Sequence, residues 1–462
     1  MLDRVVIEDI INEALSTGGD FAEVFIEDKI NTGLSMLGGK IESGMSGRDY
    51  GVGIRIFKGT NSVYAYTNDS TKESLISVAR QASLALKGDS KDIKLNLMKK
   101  EIENKHKIIT FPRNVRKNRK VQLMKKAYEV AKKEEEISQV KVIYMDSEQK
   151  VAIANSEGLY VEDKRVRTRT AINAVASKNG EMQSGFYGIG GHSGFEFYDS
   201  INIEDYAKES SRIAKTMINA EPCPSGKMPV IIDNEFGGVI FHEACGHGLE
   251  ATSVAKGTSI FAGKVGEKIA SDVVTAVDDG TIPNAWGSQN IDDEGMETRK
   301  NLLIKNGILK GYLVDKLNGR RLNANSTGSS RRQSYKYAPT SRMTNTYIAN
   351  GKSRKEEIIA NTEYGLYAKY MGGGSVNPST GDFNFAVMEG YIVRNGKIEE
   401  PVRGATLIGN GGNILKKIDM VGNNLAHGQG MCGSISGAVP TNVGQPTIRV
   451  EAMTVGGRKG EK

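Results

Sequence analysis

With 462 residues, 38% apolar and 25% charged, the chain has the composition of an ordinary globular protein, and its length exceeds what one hydrophobic core serves. The net charge of +7 permits acidic partners without identifying one, and three cysteines are too few and too scattered for a disulfide framework. No apolar run reaches the ~18 residues of a membrane span and no signal-like core opens the chain, so a cytoplasmic protein with no membrane partner and with reduced thiols is expected.

Residues 1–95 read as an N-terminal α+β domain in the order α-β-β-α. Val6, Ile10 and Ala14, beside Ile7, Ile11 and Leu15, form a helical stripe that stops at Gly18-Gly19. Val52, Ile54 and Ile56 then alternate with Gly51, Gly53 and Arg55, the period of a strand. Ser70 and Glu73 make a capping box ahead of Leu75, Val78, Ala82 and Leu86.

Residues 96–220 read as a basic linker followed by a central α+β domain. The basic stretch Lys99 to Lys126 suits a solvated linker and the outer face of a helix over 117–136. No aromatic residues interleave with its charges, so no nucleic-acid partner is expected. An alternating run follows at Val140–Tyr144. From Val166 to Ala174 the period is again two, with Arg165, Arg167 and Arg169 on the opposite face, and Asn179-Gly180 signals a hairpin. A helix over 203–218 ends the segment.

Residues 221–462 begin with a strand at Pro229–Ile232, an N-cap at Asp233 or Asn234, and an apolar helix through Val239-Ile240-Phe241. Asn306-Gly307 and Asn395-Gly396 sit between apolar runs as further hairpin turns, and the 54 glycines suit a strand-rich fold. The predicted fold class is α+β: N-terminal α/β sandwich-like regions, then a mainly antiparallel β C-terminal domain with one buried metal-binding helix.

That helix carries His242-Glu243-Ala244-Cys245-Gly246-His247. Two imidazoles suit Zn2+, and a glutamate beside the first can serve as general base. Histidines five apart lie about 140° apart on an ideal helix, against about 40° at a spacing of four. Both can reach one ion only if the helix forms a π-type or unwound turn at Ala244–Gly248, which Gly246 and Gly248 favour. A catalytic zinc needs a third protein ligand. Cys432, in the glycine-rich run Gly430-Met431-Cys432-Gly433-Ser434, is the choice, with Cys245 as competitor. Three readings stand: a zinc peptidase, a cysteine hydrolase pairing Cys432 with His427, and a non-catalytic peptide binder stabilised by zinc. His106 and His192 read as surface or structural residues.

The stretch Phe241–Glu250 resembles the metal motif of the TldD/PmbA peptidases, specifically the metal-bearing TldD type. The likeness continues through Trp286-Gly287-Ser288, Asp292-Asp293-Glu294-Gly295, Arg342-Met343-Thr344-Asn345, Gly444–Ile448 and Thr454–Gly457, and includes Gly51–Arg55 near the start. It implies zinc held by His242, His247 and Cys432, with Glu243 as catalytic carboxylate. It also implies hydrolysis of a peptide or unfolded protein, in precursor-peptide maturation or protein turnover. The expected assembly is a homodimer, or a heterodimer with a related TldE/PmbA-type subunit. After the Cys-Gly pair the family pattern has Lys and then Gly-Gln, where this chain has Ser434-Ile435-Ser436-Gly437-Ala438. Arg342 is a candidate oxyanion or carboxylate clamp, or else a member of a structural salt bridge, and Asp292, Asp293 and Glu294 are candidates to orient the histidines, or else solvated acids of a turn.

Overall fold

The computed structural model of the protein describes residues 1–86, 88, 95–377 and 379–457. Helix α1 (Arg4–Leu15) buries Ile7, Ile10, Ile11, Ala14 and Leu15, the stripe read from the sequence. Three strands follow, β1 (Phe21–Leu37), β2 (Lys40–Lys58) and β3 (Asn61–Thr67), and then α2 (Lys72–Ser83). The α2 cap sits one residue later than expected. Thr71, not Ser70, caps it, its Oγ1 accepting from the Ser74 amide at 3.4 Å.

Next come β4 (Met98–Lys100), α3 (Lys117–Ala131), β5 (Ile137–Asn155), β6 (Leu159–Lys178), β7 (Glu181–Gly191) and α4 (Ile203–Ile218). These strands do not form a sheet of their own. β1 pairs antiparallel with β5 from Glu23↔Asn155 to Leu37↔Lys141, so one seven-stranded sheet in the order β3-β2-β1-β5-β6-β4, with β7 on β6, spans the first two segments. β1, β5 and β6 have one half against α1 and α2 and the other against α3 and α4, while β2 packs only on the first pair through Val52, Ile54 and Ile56, which explains two separate apolar clusters on one sheet.

The C-terminal segment holds a six-stranded and an eight-stranded sheet. Pairing is mainly antiparallel. Parallel contacts occur where Asn345–Ile348 meets Gly437–Gln445, where Tyr364–Val376 meets Gly226–Ile232, and where Lys397–Arg403 meets Glu221–Pro222. All three Asn-Gly signals are two-residue hairpin turns, and Asn179, Asn306 and Asn395 each adopt positive φ (48–52°), as the mirror-image turn demands. Between the sheets lies α5 (Val239–Ala244), whose Val239, Ile240, Phe241 and Ala244 belong to the largest apolar core, beside Val230, Ile232 and Phe385. It starts from a 3-10 turn at Glu235–Gly238, and the close approach depends on Gly238, where a Cβ would lie 2.4 Å from the Gly444 amide nitrogen.

No helix among the described residues is long and apolar enough to cross a membrane.

Candidate metal centre

The helix that carries His242 breaks where the two-histidine spacing requires it. α5 ends at Ala244, Cys245 leaves helical geometry (φ −131°, ψ −46°), and Gly246–Leu249 tightens into a 3-10 turn. Glycine suits this corner, since a Cβ on Gly246 would meet Met343 Sδ at 2.3 Å. The break swings His247 back beside His242, with ring centroids 5.0 Å apart and planes at 79°.

The third member arrives from far along the chain. The strand Ala426–Ser434, at the edge of the six-stranded sheet, places Cys432 Sγ 3.2 Å from His242 Nε2 and 3.3 Å from His247 Nε2. The three ligand atoms all lie within 4.8 Å of one another, and no other such group of three occurs among the described residues. Zinc bonds of about 2.0–2.1 Å to nitrogen and 2.3 Å to sulfur space tetrahedral N and S ligands by about 3.6 Å. The observed separations fall a few tenths of an ångström short, so the trio accommodates an ion with small side-chain adjustments. Two imidazoles and a thiol are also the donor set that such an ion selects.

Without a cation the trio has the electrostatics of a thiolate–imidazolium cluster. Burial pushes the Cys432 thiol up, but the charge of His242 and hydrogen bonds from both imidazoles outweigh it and bring the pKa to about 3. For His247, burial favours the neutral ring, yet Glu250 and Cys432 hold its pKa well above the usual histidine value.

Cys245 turns the other way. It is fully buried, donates toward the Gly411 carbonyl at 3.6 Å, and burial raises its thiol pKa far above normal. His427 lies five residues before Cys432 on one strand, an odd spacing that puts the two on opposite faces, and its ring packs on Tyr347 at 5.2 Å. The pair is not assembled.

Glu243 sits beside the trio, its Oε2 3.6 Å from His247 Nε2 and its side chain 27% exposed, the most open of these groups. Arg342 is fully buried and both of its terminal nitrogens are occupied. Nη2 donates to the Cys432 carbonyl at 2.5 Å, and Nη1 to Ser436 Oγ and the Gly437 carbonyl at 2.9 Å each. It braces the hairpin that carries Cys432 and does not face open space. Ser436, in the run that departs from the family pattern, is thereby put to use.

The carboxylate that orients a histidine is Glu250, whose Oε2 lies 3.1 Å from His247 Nδ1. Asp292, Asp293 and Glu294 do not do so, nor are they solvated. All three are buried. Asp293 pairs with Arg165 at 2.6 Å and Glu294 with Arg55 at 2.5 Å, while Asp292 accepts amides of its own loop and of Ser330. Asp293 and Glu294 fasten the C-terminal segment to the seven-stranded sheet, and Asp292 shapes the loop that carries them. Glu250 was overlooked although its signal was local, an acid three residues after a ligand histidine. Trp286 is a packing anchor, its indole N–H donating to the Gly430 carbonyl at 2.8 Å. His106 and His192 are structural, not surface, residues, stacked in the interior with centroids 4.2 Å apart.

Comparison with known proteins gives the following. Family models described as PmbA/TldA metallopeptidase domain 1, central domain and C-terminal domain match residues 22–86, 111–218 and 225–457. A metalloprotease TldD homolog from Buchnera aphidicola is 36% identical over 450 residues, covering 95% of this chain and 93% of the relative. A zinc metalloprotease TldD homolog from Saccharolobus solfataricus is 33% identical over 57% of this chain and 58% of its own. Among solved structures, TldE from Thermococcus kodakarensis shares the fold, with a TM-score of 0.79 at 21% identity over 97% of this chain and 99% of that one.

Proposed function

The chain belongs to the PmbA/TldA family of metallopeptidases, and from that premise we propose that it is a zinc-dependent hydrolase of extended or unfolded peptides, with His242, His247 and Cys432 as ligands and Glu243 as the proton-transfer group. The observation that carries this is the meeting of Cys432 Sγ with two imidazoles from 185 and 190 residues away. Zinc, when bound, supplies a Lewis acid that polarises a carbonyl and acidifies water. The two neutral imidazoles and the thiolate would hold the ion. Glu243, 3.6 Å from His247 and partly exposed, would take a proton from the attacking water and return it to the leaving amine. Glu250 fixes the ring of His247, and Arg342 keeps the Cys432 hairpin in place. Zinc over a harder ion is favoured by the thiolate and by the name of the Saccharolobus relative.

Precursor-peptide maturation or protein turnover, in the cytoplasm, suits an enzyme of this kind with three free buried thiols. The assembly proposed is a dimer, either of two such chains or with a TldE-type subunit, with which the fold shared with TldE is compatible.

Elemental analysis of the purified protein, with three variants alongside, tests the reading. Cys432→Ser should lose zinc, Cys245→Ser should keep it, and Glu243→Ala should keep zinc while losing peptide hydrolysis. Full activity in Glu243→Ala, or full zinc in Cys432→Ser, would end it.

A further inference from the structure

Where the seven-stranded sheet meets the C-terminal segment lies a cavity of about 340 Å³. Five cationic side chains line it, Lys29, Arg165, Arg167, Arg331 and Arg332, against one carboxylate, Asp146. Asp146 is already paired with Lys120 at 2.5 Å. Arg165 has Asp163 and Asp293, and Arg332 has Glu23. Lys29, Arg167 and Arg331 are left with no ion pair among the described residues.

Their hydrogen bonds do not make up for this. Arg167 donates to the carbonyls of Trp286 and Ser288. Arg331 donates to Gln289 Oε1, the Met343 carbonyl and Thr441 Oγ1, and its Nη2 has no partner among the described residues although Arg331 is only 1% exposed. Glu27, two residues from Lys29 on the same face of β1, spends its oxygens on Gln149 and the Tyr335 amide. Burial, helped by the charge of Arg331, holds Arg167 down to about 9, and burial holds Arg331 down to about 10 against the pull of Asp293. Guanidinium groups buried without a direct ion pair are costly even with carboxylates such as Asp293 nearby, and an anion in the cavity would relieve that cost.

The rest of the lining describes the body of the ligand. Trp286 forms part of the wall, and Met45, Met145 and Met431 are all at least 40% exposed, flexible apolar side chains that adapt to varied partners. Met431 directly precedes Cys432, and Val439, the cross-strand neighbour of Cys432, also lines the cavity. The site therefore adjoins the hairpin that holds the proposed metal ligand.

We propose that this cavity binds the carboxylate of a peptide, either its C-terminus or an acidic side chain, with the apolar part of the peptide on Met45, Met145 and Met431. Paired guanidinium donors suit a planar carboxylate. That the ligand is a peptide rests on the function proposed above; the anion site does not, and its test reads binding, not turnover.

Trp286 is the only tryptophan in the chain, so its fluorescence reports on the cavity directly. The full-length protein carrying Glu243→Gln, which spares the probes from hydrolysis, is titrated with acetyl-Ala-Leu-Ala free acid, the same peptide as C-terminal amide, acetyl-Ala-Glu-Ala amide, and inorganic phosphate. A saturable change with the free acid, the glutamyl peptide or both is expected, with the Ala-Leu-Ala amide at least about tenfold weaker. Which of the two binds assigns the source of the carboxylate. Arg331→Gln should weaken binding about tenfold, and so should Lys29→Met, which loses no hydrogen bond among the described residues and so keeps the test valid if the arginine variant fails to fold. Equal binding of the Ala-Leu-Ala amide, a response to phosphate alone, or no response to any probe would overturn the proposal. Carboxylate-selective binding in a protein without zinc or peptidase activity would sink the catalytic reading and leave this site standing, whereas carboxylate-blind binding in an active enzyme does the reverse.

Discussion

Replacing Glu250 by glutamine isolates the charge behind His247. The side chain keeps its shape and an acceptor oxygen, so the 3.1 Å contact to Nδ1 survives as a neutral hydrogen bond. Charge-assisted bonds are roughly twice as strong as neutral ones, and outer carboxylates typically contribute ~10–100-fold to metal affinity. With the Glu250 side chain 5% exposed and that of His247 14%, water cannot replace what is removed. The expected loss is about tenfold in zinc affinity for Glu250→Gln, or about 1.4 kcal/mol, and up to about a hundredfold for Glu250→Ala. Glu250 Oε1 also lies 3.9 Å from Nε of the buried Arg342, so both variants should lower metal-free stability as well. Transfer of zinc from the folded protein to a competing chelator measures the first effect, and chemical unfolding of the zinc-free protein measures the second. Zinc affinity within about threefold of the parent in both variants would refute the reasoning, because the carboxylate would then be orienting nothing.

The zinc-free cluster should show its ionisation directly. Ultraviolet thiolate absorbance, absent from Cys432→Ser, should persist from pH 8 to well below 5 and fade near 3, and a midpoint near the ~8.5 of a free cysteine would contradict the geometry. Stability from the depressed thiol is complete above the unfolded-chain value of about 8.5 and is lost as pH falls through about 3. That from His247, whose pKa is raised, is complete below about 6.5 and is lost as pH climbs through its folded value, so the cluster stabilises the zinc-free fold most between about pH 6.5 and 8.5. A glycine pair tests the packing of the helix: Gly238→Ala pushes a methyl group onto the Gly444 backbone and should cost about 1–3 kcal/mol, while Gly433→Ala, with nothing within 4 Å, should stay within about 0.5. Denaturant unfolding compares them, and equal stability would mean that the helix does not press on that strand.

Much of the local structure was legible because its causes are local. The stripe of α1, the three Asn-Gly turns and the break after Ala244 each follow from neighbouring residues, and the broken turn was required by two histidines five apart. Long-range pairing was not legible. Nothing near β1 announces that its partner is β5, since either strand alone could take several neighbours. The acids at 292–294 were misread for the same reason, because Arg55 lies 239 residues from Glu294 and Arg165 lies 128 from Asp293. An acidic triplet beside a glycine looks like a solvated turn until the folded chain brings it counter-charges. A local reading of Arg342 leaves a clamp and a structural role both open, because the carbonyls that occupy it belong to a hairpin ninety residues on.

The strand pairing between β1 and β5 constrains how such chains can be divided or recombined. A cut between the first two segments would strip a long run of amides and carbonyls of their partners on both pieces, leaving two sticky edges instead of two modules. Exchanging the first segment between relatives would succeed only where the pairing offset is retained, since a slip of one residue turns every inward side chain outward. Inheritance should therefore treat the first two segments as one part.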